Sequence, residues 1–73
     1  MTKEEMSKLF EEAREQTSAK EAQLTFLAAE DSNWILLVKS PESDELAIQI
    51  EGVGDKTAEE IRGEIREQLM RLF

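Results

Sequence analysis

Trp34-Ile35-Leu36-Leu37-Val38 is the longest unbroken apolar run in the chain, and its reading decides the fold. A strand with one wet face alternates polar and apolar residues, whereas a run that is apolar on both phases asks for cover on both sides and belongs in the middle of a sheet. Turn chemistry brackets it. Glu30-Asp31-Ser32-Asn33 precedes it, with short polar side chains that bond nearby backbone and tolerate the left-handed region. Ser40-Pro41-Glu42-Ser43-Asp44 follows, with a proline that fixes φ and donates nothing to a ladder. Two short links predict two hairpins, and hence an antiparallel meander with this run as its central strand.

Working outward, Gln23-Leu24-Thr25-Phe26-Leu27-Ala28 reads as the first strand, with Leu24, Phe26 and Ala28 on one side. The third, Glu45 to Glu51, alternates most cleanly: Leu46, Ile48 and Ile50 point one way, Ala47, Gln49 and Glu51 the other. Beyond the sheet the period changes to that of a helix. Thr2 with Glu5 fits the capping box, and Met6, Leu9, Phe10 and Ala13 form one apolar stripe that fades into a fraying end at Thr17-Ser18-Ala19. After the turn Gly52-Val53-Gly54, Asp55 and Thr57 compete to cap a second helix. There Thr57 and Glu60 make another capping box, and Ala58, Ile61, Ile65, Leu69 and Leu72 share a stripe. Gly63 projects away from that stripe, where it costs about 1 kcal/mol relative to alanine.

The expectation is therefore one α+β domain over residues 1–73, in the order α-β-β-β-α: a three-stranded antiparallel meander with both helices packed on one face, sealed by Leu24, Phe26, Leu46, Ile48 and Ile50. The other face then carries one phase of the central strand, either Ile35 and Leu37 or Trp34, Leu36 and Val38. If the helices take the latter set, Leu27, Ile35, Leu37 and Ala47 form the candidate interface, which is either tolerated apolar surface or a contact for a second copy or a partner.

Composition narrows the chemistry. Seventeen acidic against nine basic residues give a net charge of −8, which repels nucleic acid and anionic lipid. The chain has no cysteine and no histidine, so disulfides, Cys/His zinc sites, thiolate nucleophiles and histidine bases are excluded. No segment approaches the roughly 18 apolar residues of a membrane span, and Met1 to Phe10 lacks the basic and apolar regions of a secretory signal, so a cytoplasmic location is expected. Gly52-Val53-Gly54-Asp55-Lys56-Thr57 has the flavour of a phosphate loop, but that loop needs glycines where Asp55 and Ile50 stand. The many carboxylates fall in loops or on outer helix faces, without the cleft and partial burial of a two-carboxylate hydrolase or the ligand rhythm of an EF-hand. No catalytic, metal or cofactor site is expected.

The order helix, three antiparallel strands, helix resembles the double-stranded RNA-binding domain, with Gly52-Val53-Gly54 where that family often has a glycine-rich link. The family holds phosphates with lysines at the start of its second helix, and Asp55-Lys56-Thr57-Ala58-Glu59-Glu60 supplies one lysine among acids, so no nucleic acid is expected to bind. Two capping boxes, matched stripes and turn residues confined to turns also make the chain similar to computationally designed mini-proteins. That resemblance implies a stable scaffold with no specific biochemical activity, not an enzyme, needing no partner. The alternative is a small acidic interaction or homodimerisation module that uses the apolar second face or a strand edge.

Overall fold

A computed structural model describes all of residues 1–73. The chain runs through α1 (Lys3–Glu15), β1 (Gln23–Glu30), β2 (Asn33–Lys39), β3 (Leu46–Ile50), a single 3-10 turn (Val53–Asp55) and α2 (Ala58–Leu72). The sheet has the order β1-β2-β3 with both pairings antiparallel, so the expected α-β-β-β-α meander is the fold. The helices pack against each other on one sheet face, α1 beneath β1 and α2 beneath β3.

Both helices start where the sequence places them. Thr2 accepts from the Glu5 amide at 3.1 Å while Glu5 accepts from the Thr2 amide at 2.9 Å; Thr57 and Glu60 repeat the exchange at 3.1 and 3.0 Å. Two orphan amides are satisfied at each end, and Thr57 rather than Asp55 is the cap. α1 ends at Glu15, just before the expected fraying stretch Thr17-Ser18-Ala19. Thr17 is buried, and its hydroxyl donates to the Arg14 carbonyl oxygen and accepts from the Ala19 amide, so a local bonding pattern stops the helix.

The core settles the open phase of β2. Trp34, Leu36 and Val38 are buried against Met6, Leu9, Phe10 and Ala13 of α1, Ile61, Ile65 and Leu69 of α2, and Ile48 and Ile50 of β3. Leu46 is only half-buried, and Ala58 and Leu72, expected in the α2 stripe, are exposed. Ala58 lies in the first turn of the helix, and the buried positions Ile61, Ile65 and Leu69 step by four, so the next to pack against the core is Phe73 and not Leu72. Ala22 and Val53 complete the core from the connections.

In β1 the expected alternation is broken. Leu24 pairs with Val38 and Phe26 with Leu37, so Thr25 is an extra residue in a β-bulge. Because side chains alternate with period two, one inserted residue exchanges the faces of everything after it. Phe26 thus leaves the sealed face and is 55% exposed beside Leu37, while Leu27, opposite the buried Leu36, packs against the core. The expected placement of both residues is reversed, and Ala28 follows Phe26 outward, opposite Ile35.

The first link is tighter than expected. Glu30 pairs with Asn33, leaving a two-residue turn in which Asp31 holds φ at +55°. Gly52, at φ +66°, starts the turn that leaves β3, and the Val53 amide donates to the Ser32 carbonyl at 2.9 Å, tying this turn to the β1–β2 hairpin.

Candidate functional site

The outer sheet face is built from alternate positions of three strands. Phe26 and Ala28 come from β1, Ile35 and Leu37 from β2, and Ala47 with Gln49 from β3, aligned by the pairings Phe26–Leu37–Ala47 and Ala28–Ile35–Gln49. Three of the four expected interface residues, Ile35, Leu37 and Ala47, therefore share this face; Leu27 is on the other. Phe26 and Ala28 take its place, and residue spacing gave no warning of a bulge at Thr25. Ile35 is 41% exposed. Together with Phe26 it makes an apolar strip across two strands, bordered by the Thr25 hydroxyl, which reaches the Leu37 carbonyl oxygen at 3.1 Å and the Glu45 carboxylate.

The two sheet edges differ. On β3, the Gln68 side-chain amide of α2 donates to the Gln49 carbonyl oxygen at 3.0 Å. On β1, six consecutive uncharged residues, Leu24 to Ala29, run along the open side with no proline, glycine or lysine among them.

Charged groups are spread over the remaining surface. Lys56, the one basic residue near the start of α2, is bound by Glu64 at 2.7 Å. Arg62 donates to Glu12 and Arg66 to Gln16, both at 3.2 Å, joining the two helices across their flank. Arg14 lies over the Phe10 ring at 5.8 Å from its centroid and donates to the Ala22 carbonyl at 3.0 Å; its Nε is buried without a hydrogen-bond acceptor. Glu5 and Glu60 are the carboxyls whose ionisation is displaced, and both are held below the usual range by hydrogen bonds from their capping threonines, backbone first and hydroxyl second. No group of three or more acidic side chains converges as a metal cage requires. The largest recess, about 560 Å³, lies between residues 18–22, the loop 40–43 and Leu72–Phe73. Its Ser40 and Ser43 hydroxyls bond each other at 2.9 Å, and its Lys20 ammonium donates to the Glu15 carbonyl.

No protein-family model, curated protein or solved structure matches this chain. No helix is long and apolar enough to cross a membrane.

Proposed function

We propose that this chain is a designed, scaffold-type domain without a specific biochemical activity, in which the polar groups tuned by the fold serve folding itself. The observation that supports this most directly is the use made of Glu5 and Glu60. Carboxyls with displaced ionisation commonly mark a reaction site, and here both sit at solvent-exposed helix starts, where the displacement stabilises a cap. The two capping boxes and the buried helix stripes Met6-Leu9-Phe10-Ala13 and Ile61-Ile65-Leu69 support a designed origin. Lys56, engaged by Glu64 and flanked by Asp55, Glu59 and Glu60, argues against the phosphate clamp of the double-stranded RNA-binding domain. A thermal-melt screen against nucleotides, divalent cations and duplex RNA at low salt tests the reading: the expected outcome is an unchanged midpoint throughout, and a saturable upward shift with any of them overturns it.

A second reading is favoured by Phe26 and Ile35 standing exposed together on one sheet face. On this reading the domain is a protein-interaction module that works through its sheet.

A further inference from the structure

We infer that β1 is a self-pairing edge: two copies of this chain join β1 to β1 antiparallel about Leu27, making one continuous six-stranded sheet. The inference rests on the second reading above and names its partner and register.

The free edge of a sheet exposes unpaired backbone donors and acceptors, which natural sheets protect with lysine, proline, short strands, bulges or cover. In this molecule β3 is short, and its Gln49 carbonyl is taken by Gln68. β1 has eight residues, and its one irregularity, the Thr25 bulge, lies toward its start, leaving Phe26 to Glu30 in unbroken register with β2. The open edge is therefore also the longer one, and the backbone chemistry it offers is completed by another extended strand.

The sequence of β1 is what selects a second copy. Antiparallel neighbours must present opposed residues on the same face, so a twofold axis has to pass through a residue and not between two. With the axis at Leu27, the half-buried Leu27 side chains oppose each other on the helix side, extending the row Ile48-Leu36-Leu27 into its mirror row. On the outer side Phe26 opposes Ala28 of the second copy, so Ala47-Leu37-Phe26 runs on into Ala28-Ile35 of the neighbour. Past the bulge, Leu24 meets Ala29, and Gln23 meets Glu30 with Lys39 one strand away. At a charge of −8 each copy repels the other, yet this register sets no acid opposite an acid.

The area sets the strength. A strand of about seven residues is roughly 20 Å long, and pairing its edge with the flanking side chains buries roughly 300–400 Å² per copy, about half of the ~800 Å² per partner of a stable interface. The dimer is thus weak and reversible, and added salt strengthens it by screening the net charge.

Sedimentation equilibrium of the wild-type chain from micromolar to millimolar concentration, at low and high salt, should show a monomer–dimer equilibrium displaced toward dimer by salt. Because the chain has no cysteine, single thiols report register. Opposed Cα atoms about 4.5–5.5 Å apart lie within disulfide reach, so Leu27→Cys should oxidise to a homodimer, and a mixture of Phe26→Cys and Ala28→Cys chains should give mainly the mixed dimer. The mixed pair leaves Leu27 untouched and stands even if Leu27→Cys folds poorly. Ala47→Glu, on the far strand, should leave association unchanged, and Phe26→Glu should abolish it. Loss of association in Ala47→Glu, without preferential mixed cross-linking, would show that sheets stack face to face; that overturns the edge inference and leaves the interaction reading standing. A strict monomer at millimolar concentration and high salt overturns the edge inference and leaves the interaction reading to a partner of different sequence.

Discussion

Leu36 and Ile35 are adjacent in β2 and chemically close, yet they face opposite ways, so truncating each in turn measures how the two sheet faces differ. Leu36 is fully buried between the helices and its strand neighbours, whereas Ile35 is 41% exposed on the outer face. Removing a fully buried leucine side chain forfeits its transfer free energy and leaves a cavity that the neighbours fill only in part, about 2–5 kcal/mol for Leu→Ala. A 73-residue domain has a total stability of about 4–11 kcal/mol at 0.05–0.15 kcal/mol per residue, so Leu36→Ala removes a large share of it. With an unfolding entropy of about 2.1 cal/mol/K per residue, each kcal/mol lowers Tm by about 6–7 °C, and the expected drop is roughly 12–35 °C. Ile35→Ala loses side-chain contacts that are already half solvated and creates no enclosed cavity; a loss of about 1 kcal/mol or less is expected. Urea titration followed by Trp34 fluorescence and far-ultraviolet dichroism gives both values, since Trp34 is buried and reports the core. If Ile35→Ala matched Leu36→Ala, the outer face would be covered as thoroughly as the inner one, and the assignment of faces would be wrong.

The remaining predictions concern backbone and caps. Gly63→Ala should raise stability by about 1 kcal/mol, read as an upward shift in melting midpoint, because an added Cβ meets nothing within 4 Å and the helical backbone carries no positive φ. Gly52→Ala should lower it by about 1–2 kcal/mol in the same melt: there is space for the methyl group, but φ is +66°. For the α2 cap, the Glu60 carboxyl is held below its ordinary value of 4.5 in the folded chain, so its contribution is complete above that value and is lost as pH falls through the lower, folded one. The difference in melting midpoint between wild type and Glu60→Ala should therefore be constant near neutral pH and close as pH drops below about 4.5; a gap that persists into strong acid would show that the charge plays no part. Thr57→Ala should cost about 1 kcal/mol in the same melt, and a loss well below that would mean the Thr57–Glu60 exchange contributes little.

Much of the architecture is present in local sequence. Thr2-x-x-Glu5 and Thr57-x-x-Glu60 state where the helices begin, the stripes Met6-Leu9-Phe10-Ala13 and Ile61-Ile65-Leu69 state which sides they bury, and Pro41 and Asp31 mark the hairpins, because each signal depends on residues within one turn of one another. The phase of Trp34 to Val38 could not be read that way. Both of its phases are apolar, and the choice depends on which one Phe10, Ile48 and Ile61 fill most closely, a packing question across elements distant in sequence. The same limit explains β1. Nothing in Gln23-Leu24-Thr25-Phe26-Leu27 announces an extra residue; the bulge exists because Leu24 and Leu27 both pack toward the core while three positions apart, which a regular strand of period two does not allow. Local chemistry thus determined the elements and their order, whereas tertiary packing decided that Phe26 faces out and Leu27 faces in, because only the assembled core distinguishes two faces that the sequence makes equally apolar.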